Sequence, residues 1–180
     1  MQIMDSADRY GTVSRFFHWG VAVLIAWQIA AMILKNALGR ESALAGFMVG
    51  SHQSVGFLVF LLVWLRAGWA LVNRRNRPAH GGGLLGLAAK AGHLALYALM
   101  LFVPTVAVLR AIGGERPFTV FGIQLTAGRP EGQAIEALTG LANFHGEAAW
   151  LLAVLIVGHV VMAVFHSAVL KDRTIRRMTT

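Results

Sequence analysis

Four stretches of this chain run long without a charge. There are 19 residues between Arg15 and Lys35, 24 between Glu41 and Arg66, 19 between Lys90 and Arg110, and 23 between Glu147 and Lys171. A helix rises about 1.5 Å per residue, so roughly 20 apolar residues cross the hydrocarbon core of a bilayer. The hydrophobic fraction of 57% and mean hydropathy of +0.63 exceed those of an ordinary soluble domain, and the four runs account for the excess. Short links between four such helices imply an all-α, integral membrane, up-down-up-down bundle. We place the helices at about 10–34, 44–72, 84–109 and 145–170 of one domain, 1–180.

The net charge of +8 is a matter of placement. Arg9, Arg15, Arg74, Arg75, Arg77, Lys90, Lys171, Arg173, Arg176 and Arg177 fall on the side shared by both termini and the middle loop. The other side has Lys35, Arg40, Arg110, Arg116 and Arg129, mixed with Glu41, Glu115, Glu131 and Glu136. That asymmetry puts both termini in the cytoplasm and reads as topology and anionic lipid, not nucleic acid. The first run is a retained helix: it is long for a signal peptide, no small-x-small site follows, and His18 sits inside it. The absence of cysteine excludes disulfides, thiolate-held iron–sulfur clusters and thioether-attached haem.

Local signals fill in the connections. Ser6 or Asp8 is a candidate cap for the first helix. Trp19 and Trp27 suit interfacial or packing positions. The basic loop NRRNRPAHGGG reads as a cytoplasmic turn with an exposed His80. Pro104 predicts a kink in the third helix. In the long outer segment, Phe118 and Phe121 are expected to fold back on the membrane surface, and GQAIEALTGLANF to form a short interfacial helix.

The chemistry lies in the histidines. His145, His159 and His166 follow one another at intervals of fourteen and seven, on one slowly drifting stripe of the last helix. Ionisable groups inside a bilayer are costly and mark functional sites. The second and fourth helices both start on the outer side, so His52 and His145 share the outer level. His18 lies at the cytoplasmic level, where the last helix offers His159 or His166. Depth alone does not choose between those two. His93 sits in the first turns of the third helix. Arg66, fourteen residues beyond His52, reaches the inner end, either as a snorkelling cation or as a counter-ion for a propionate. Gly46, Gly50, Ser54 and Gly56 give the second helix a small face, and Gly20, Gly146 and Gly158 lie within two residues of a histidine. Small faces serve close helix packing or leave room for a flat macrocycle. Zinc takes four ligands and no carboxylate accompanies either pair. Haem takes two axial ligands from the protein, so two facing imidazoles per level suit two haem b groups stacked across the membrane. With both axial positions filled, such a site moves electrons.

The sequence resembles the bacterial cytochrome b561 family over nearly its whole length. The resemblance rests on FHW around His18, H-x-S-x-G at His52 with Arg66 after it, GHLALYALMLFVP around His93, FHGEAAW at His145, and GHVVMAVFHSAVLKDRTIRRM. It implies a four-helix di-haem protein in which His18 pairs with His159, and His52 with His145. It makes His93 and His166 non-axial, with propionate or quinone contacts as their expected roles. It departs from some relatives at Ala107, where they have glycine after the proline of the third helix. It further implies a bacterial inner membrane, ubiquinone as acceptor, and, as in some relatives, superoxide oxidised to oxygen at the periplasmic face. The outer cations would then steer that anion, against the nearby glutamates. The competing reading is a cytochrome b wire and anchor for a partner dehydrogenase or hydrogenase, although the chain ends soon after the fourth helix without an obvious docking extension. A haem-free histidine channel is the third reading, and the matched depths count against it.

Overall fold

The computed structural model describes residues 2–78 and 82–179; His80 lies outside them. Its elements are α1 (Thr12–Leu38), α2 (Ala43–Val72), α3 (Gly83–Gly113), β1 (Phe118–Val120), β2 (Ile123–Thr126), α4 (Glu136–Thr139), a 3-10 turn (Gly140–Phe144), α5 (His145–Ala168) and α6 (Arg176–Thr179). Four helices are long and apolar enough to cross a membrane, the last counted from Glu136 through Ala168. The chain is thus a four-helix membrane bundle. α1 and α3 run about one turn beyond the ends read from sequence, to Leu38 and Gly113.

A thin core holds the bundle. Val21, Ile25, Val59, Val63, Leu96, Met100 and Leu152 form one buried cluster. Phe16, Leu65, Leu94, Val154 and Val157 stay exposed on the outside. In water such a surface would be an aggregation hazard; on a spanning helix it is the lipid-facing side. Backbones approach closely along α1–α2, α2–α3 and α3–α5. α5 keeps further from α1 and α2, which leaves width between them. Interhelical hydrogen bonds fix register: Trp27 Nε1 to Ser51 Oγ at 2.9 Å, Trp69 Nε1 to Ser14 Oγ at 2.9 Å, and Trp64 Nε1 to Thr105 Oγ1 at 3.1 Å.

One end of the bundle, the tail side, gathers both chain ends and the α2–α3 loop. Helix α1 is started by neither Ser6 nor Asp8. Its N-cap is Gly11, whose N–H donates to the buried carboxylate of Asp5 at 2.8 Å, while Thr12 N–H donates to the Gln2 carbonyl at 2.9 Å. A side chain at Gly11 would run into the Ile3 and Met4 backbone, so the tight return of the chain needs glycine. Asp5 also accepts from Arg77 Nε at 3.1 Å and donates its N–H to Asn73 Oδ1 at 3.2 Å, tying the tail to the end of α2. A short polar chain end becomes ordered because the buried carboxylate of Asp5 finds two donors and its backbone N–H an acceptor.

The opposite end is the hairpin side. β1 and β2 pair antiparallel around Phe121 and Gly122, both at positive φ, the twist that two-residue hairpins favour. Ser54 Oγ accepts from Phe121 N–H at 2.9 Å, and Gln53 Nε2 donates to the Thr119 carbonyl at 2.7 Å. Those bonds clamp the hairpin to α2. Phe118 turns into the bundle and packs edge-on against Phe57 at 5.6 Å, while Phe121 stays exposed. The two phenylalanines thus part company, because Phe118 lies in β1 and Phe121 in the turn beyond its end. The expected interfacial helix shrinks to α4 and the 3-10 turn, which lead directly into α5. α3 continues through the buried Pro104.

Candidate functional site

Two histidine pairs stand at two levels of the bundle, and α5 supplies one member of each. On the hairpin side, His52 of α2 faces His145, the first residue of α5, with ring centroids 6.3 Å apart and planes at 81°. His145 Nδ1 lies 3.0 Å from the Val103 carbonyl. A carbonyl only accepts, so Nδ1 carries the proton and Nε2 keeps its lone pair for a metal. Val103 directly precedes Pro104, a proline inside α3. Nδ1 of His52 is buried without a partner. The pair borders a cavity of about 1070 Å³ whose walls include Ile25, Met100 and Leu152 and whose rim carries Lys35, Arg40, Arg110 and Arg116. Gly56 and Gly146 also line it, and nothing lies within 4 Å of a side chain built on Gly146.

On the tail side, His18 of α1 faces His159 of α5, with centroids 6.4 Å apart and planes at 57°. His93 of α3 completes the cluster, 5.2 Å from the His159 ring, and its Nδ1 donates to the Ala89 carbonyl at 2.7 Å. His166, the other candidate partner of His18, points elsewhere and hydrogen-bonds Asp172 Oδ2 at 2.6 Å. Arg66 reaches this level and does not snorkel away. Its Nη2 donates to His18 Nδ1 at 3.2 Å, and the guanidinium lies over the Tyr97 ring at 5.3 Å.

The spacing of both pairs fits a metal held between them. A metal–imidazole bond is about 2 Å and the ring centre lies about 1 Å behind the nitrogen, so two rings sharing one metal sit roughly 6 Å apart. The contact between His93 and His159, at 5.2 Å, is closer than that. The tail-side pair fits on one condition. A guanidinium only donates, so while Arg66 holds Nδ1 the proton of His18 is on Nε2. Ligation through Nε2 requires Arg66 to turn to another acceptor, and a haem propionate is of the right charge. The cavity beside the hairpin-side pair is lined mainly by apolar side chains, as a flat porphyrin requires, together with Lys35, Arg40, Arg110 and Arg116.

The family profile described as prokaryotic cytochrome b561 matches residues 9–180. The chain belongs to the prokaryotic cytochrome b561 family. It is 29% identical to cytochrome b561 homolog 2 of Escherichia coli K12 over 180 residues, covering 99% of this chain and 95% of that protein. It is 24% identical to cytochrome b561 homolog 1 of the same organism over 174 residues, covering 95% and 97%. As a cytochrome b561 it is a membrane electron-transfer protein, and the family implies haem b.

Three polar groups in this cytochrome b561 escaped the sequence reading. Gln28 donates from Nε2 to the His52 carbonyl at 2.9 Å and sits against Gly56, steadying the helix turn that carries His52. Its signal was present: it is the lone amide in the first uncharged run. Tyr97 lies beside both Arg66 and Arg77. Asp5 gave no signal, since its burial depends on a chain reversal at Gly11.

Proposed function

We propose that this cytochrome b561 carries electrons through two haem b groups, held by His52 with His145 and by His18 with His159, from superoxide at the hairpin side to ubiquinone in the membrane. The observation that carries the reading is the shared spacing of the two imidazole pairs, 6.3 and 6.4 Å, at two depths of one bundle. Bound haem supplies a one-electron carrier at each level, with no open iron position once both imidazoles are in place. The protein's part is to aim the imidazoles. Val103 fixes the tautomer of His145, and Gln28 ties the His52 turn to α1. With haem bound, Arg66 would turn from His18 and serve as counter-ion to a propionate, and His93 and His166 would take propionate or quinone contacts.

In this reading the tail side is cytoplasmic and the hairpin side periplasmic in a bacterial inner membrane, following the excess of Lys and Arg on the tail side. Two superoxide anions give up two electrons and leave as oxygen; ubiquinone takes the two electrons and two protons to become ubiquinol. Lys35, Arg40, Arg110 and Arg116 rim the outer cavity, where positive groups raise the encounter rate of a small anion. The test is anaerobic mixing of the oxidised holoprotein with superoxide, then with ubiquinone, followed in the haem bands. Reduction by the first and reoxidation by the second is the expected result. Haem that superoxide leaves oxidised, but a partner dehydrogenase or hydrogenase reduces, overturns this reading in favour of a cytochrome b anchor subunit.

A further inference from the structure

The tail side holds a second concavity, remote from the histidines. It has a volume of about 160 Å³ and is lined by Arg9, Arg173, Arg176, Arg177 and Asp8. Four guanidiniums against one carboxylate leave a positive site among the described residues. Sequence does not place Arg9 beside Arg177; the fold does. Tyr10 N–H donates to the Arg177 carbonyl at 3.1 Å, and Trp19 Nε1 donates to the Met178 carbonyl at 3.1 Å. Both bonds use backbone acceptors of the C-terminal segment and bring its arginines against the start of the chain. Like charges are thereby held together, at an electrostatic cost that an anion would relieve.

We propose that these four arginines bind a phosphate-bearing anion, of the kind an anionic phospholipid headgroup presents. Three observations point to that chemistry. Guanidinium forks match phosphate oxygens in pairs, and the cavity offers several forks at once. Its volume equals that of about five waters, near the bulk of one phosphate group with its oxygens. The pocket also lies at headgroup depth. Trp19, which tethers the C-terminal segment, is in the second turn of a spanning helix and half exposed, with Phe16 exposed one turn away. Acyl chains entering beside Phe16 and Trp19 would leave a headgroup at the arginines, and basic pockets at the ends of membrane helices recognise anionic lipid in this way. The site needs no assumption about electron donor or acceptor.

The test uses the haem-loaded full chain in a neutral detergent. Binding of cardiolipin, phosphatidylglycerol, phosphatidylcholine and, separately, inorganic phosphate is measured by native mass spectrometry and by the shift in melting temperature. Arg173→Gln/Arg176→Gln is compared with Arg74→Gln/Arg75→Gln, which removes equal charge from the neighbouring loop. Retained haem absorbance shows that each variant is folded, and Arg173→Lys/Arg176→Lys keeps the charge if the glutamine pair does not fold. We expect the anionic lipids to bind and to lose roughly tenfold to thirtyfold in affinity in the pocket variant, with far less change in the loop variant. Phosphate binding without lipid binding, lost in the pocket variant, keeps the site and names a soluble source. Equal binding of phosphatidylcholine, equal effects of the two variants, or no binding of any anion overturns the proposal.

Discussion

The guanidinium of Arg66 lies 3.2 Å from Nδ1 of His18, forty-eight positions earlier in the chain. It also stacks on Tyr97, so a cation in the middle of an apolar bundle is held by one imidazole and one aromatic face. Removing it takes a positive charge from beside the tail-side histidine pair. A nearby positive charge favours the reduced, less positive form of a bound redox group. Arg66→Leu is therefore expected to lower one of two midpoint potentials by about 30–100 mV, since 59 mV corresponds to tenfold for a one-electron couple. Redox titration of the haem absorbance decides it, and two unchanged potentials would refute the role.

The histidine pairing makes a prediction about stoichiometry. Replacing His52 or His145 by alanine should leave about one haem per chain, and so should replacing His18 or His159. His166→Ala should retain both, because that ring is engaged with Asp172. Haem content measured against protein distinguishes the cases. Full content in His159→Ala would break the inner pairing.

The large cavity separates the arginines of the hairpin side into two groups. Arg110 and Arg116 line it, whereas Arg129 does not and is tied by its N–H to the Gly114 carbonyl. Reduction by superoxide should slow severalfold in Arg110→Gln and Arg116→Gln and change little in Arg129→Gln. It should also slow with added salt, because exposed charges are screened beyond about 10 Å at 0.1 M. Stopped-flow rates across ionic strength supply the check.

Asp5 predicts a structural loss on the tail side. Its carboxylate is fully buried and holds Arg77 and the Gly11 N–H. Asp5→Ala strips the Gly11 N–H of its buried acceptor and leaves Arg77 to Tyr97 and solvent, a cost of about 2–4 kcal/mol. We expect a melting temperature lowered by several degrees with haem content preserved. An unchanged melting temperature would show that the tail contributes nothing.

Asp172 predicts a pH window. Thr174 and His166 hold its carboxyl well below the ordinary 3.8, at about 2. A depressed folded-state value stabilises fully above the ordinary value, and the contribution declines as pH falls below 3.8 and is gone below about 2. Hydrogen exchange in residues 170–175 should be flat from pH 7 to 4 once corrected for intrinsic rates. Asp172→Asn should speed it. A carboxyl signal titrating at or above 3.8 contradicts the assignment.

The helices were legible because uncharged runs of membrane length admit little else, and the levels of His52 and His145 followed from which side each helix enters. The choice of His159 over His166 as the residue facing His18 was not available from depth, since one stripe carries both. The structure separates them because His166 lies at the end of α5, where Asp172 can turn back to meet it. The fate of Phe118 was hidden for a related reason: a strand of three residues carries too little alternation to reveal its buried side. The start of α1 was misread because the residues with capping side chains, Ser6 and Asp8, are local signals, whereas Asp5 works through Arg77, seventy-two positions away.

Both histidine pairs draw a member from α5, and this bears on how the protein is made. A ribosome delivers α1 and α2 first, so His18 and His52 enter the membrane early with no imidazole opposite. Neither pair exists until the last span arrives. Assembly is therefore all or nothing: a chain arrested before α5 has two half-sites, and one completed through α5 gains both in a single event. The same shared strut means that any sliding of α5 along the bundle displaces both pairs together, so the two histidine levels are mechanically geared.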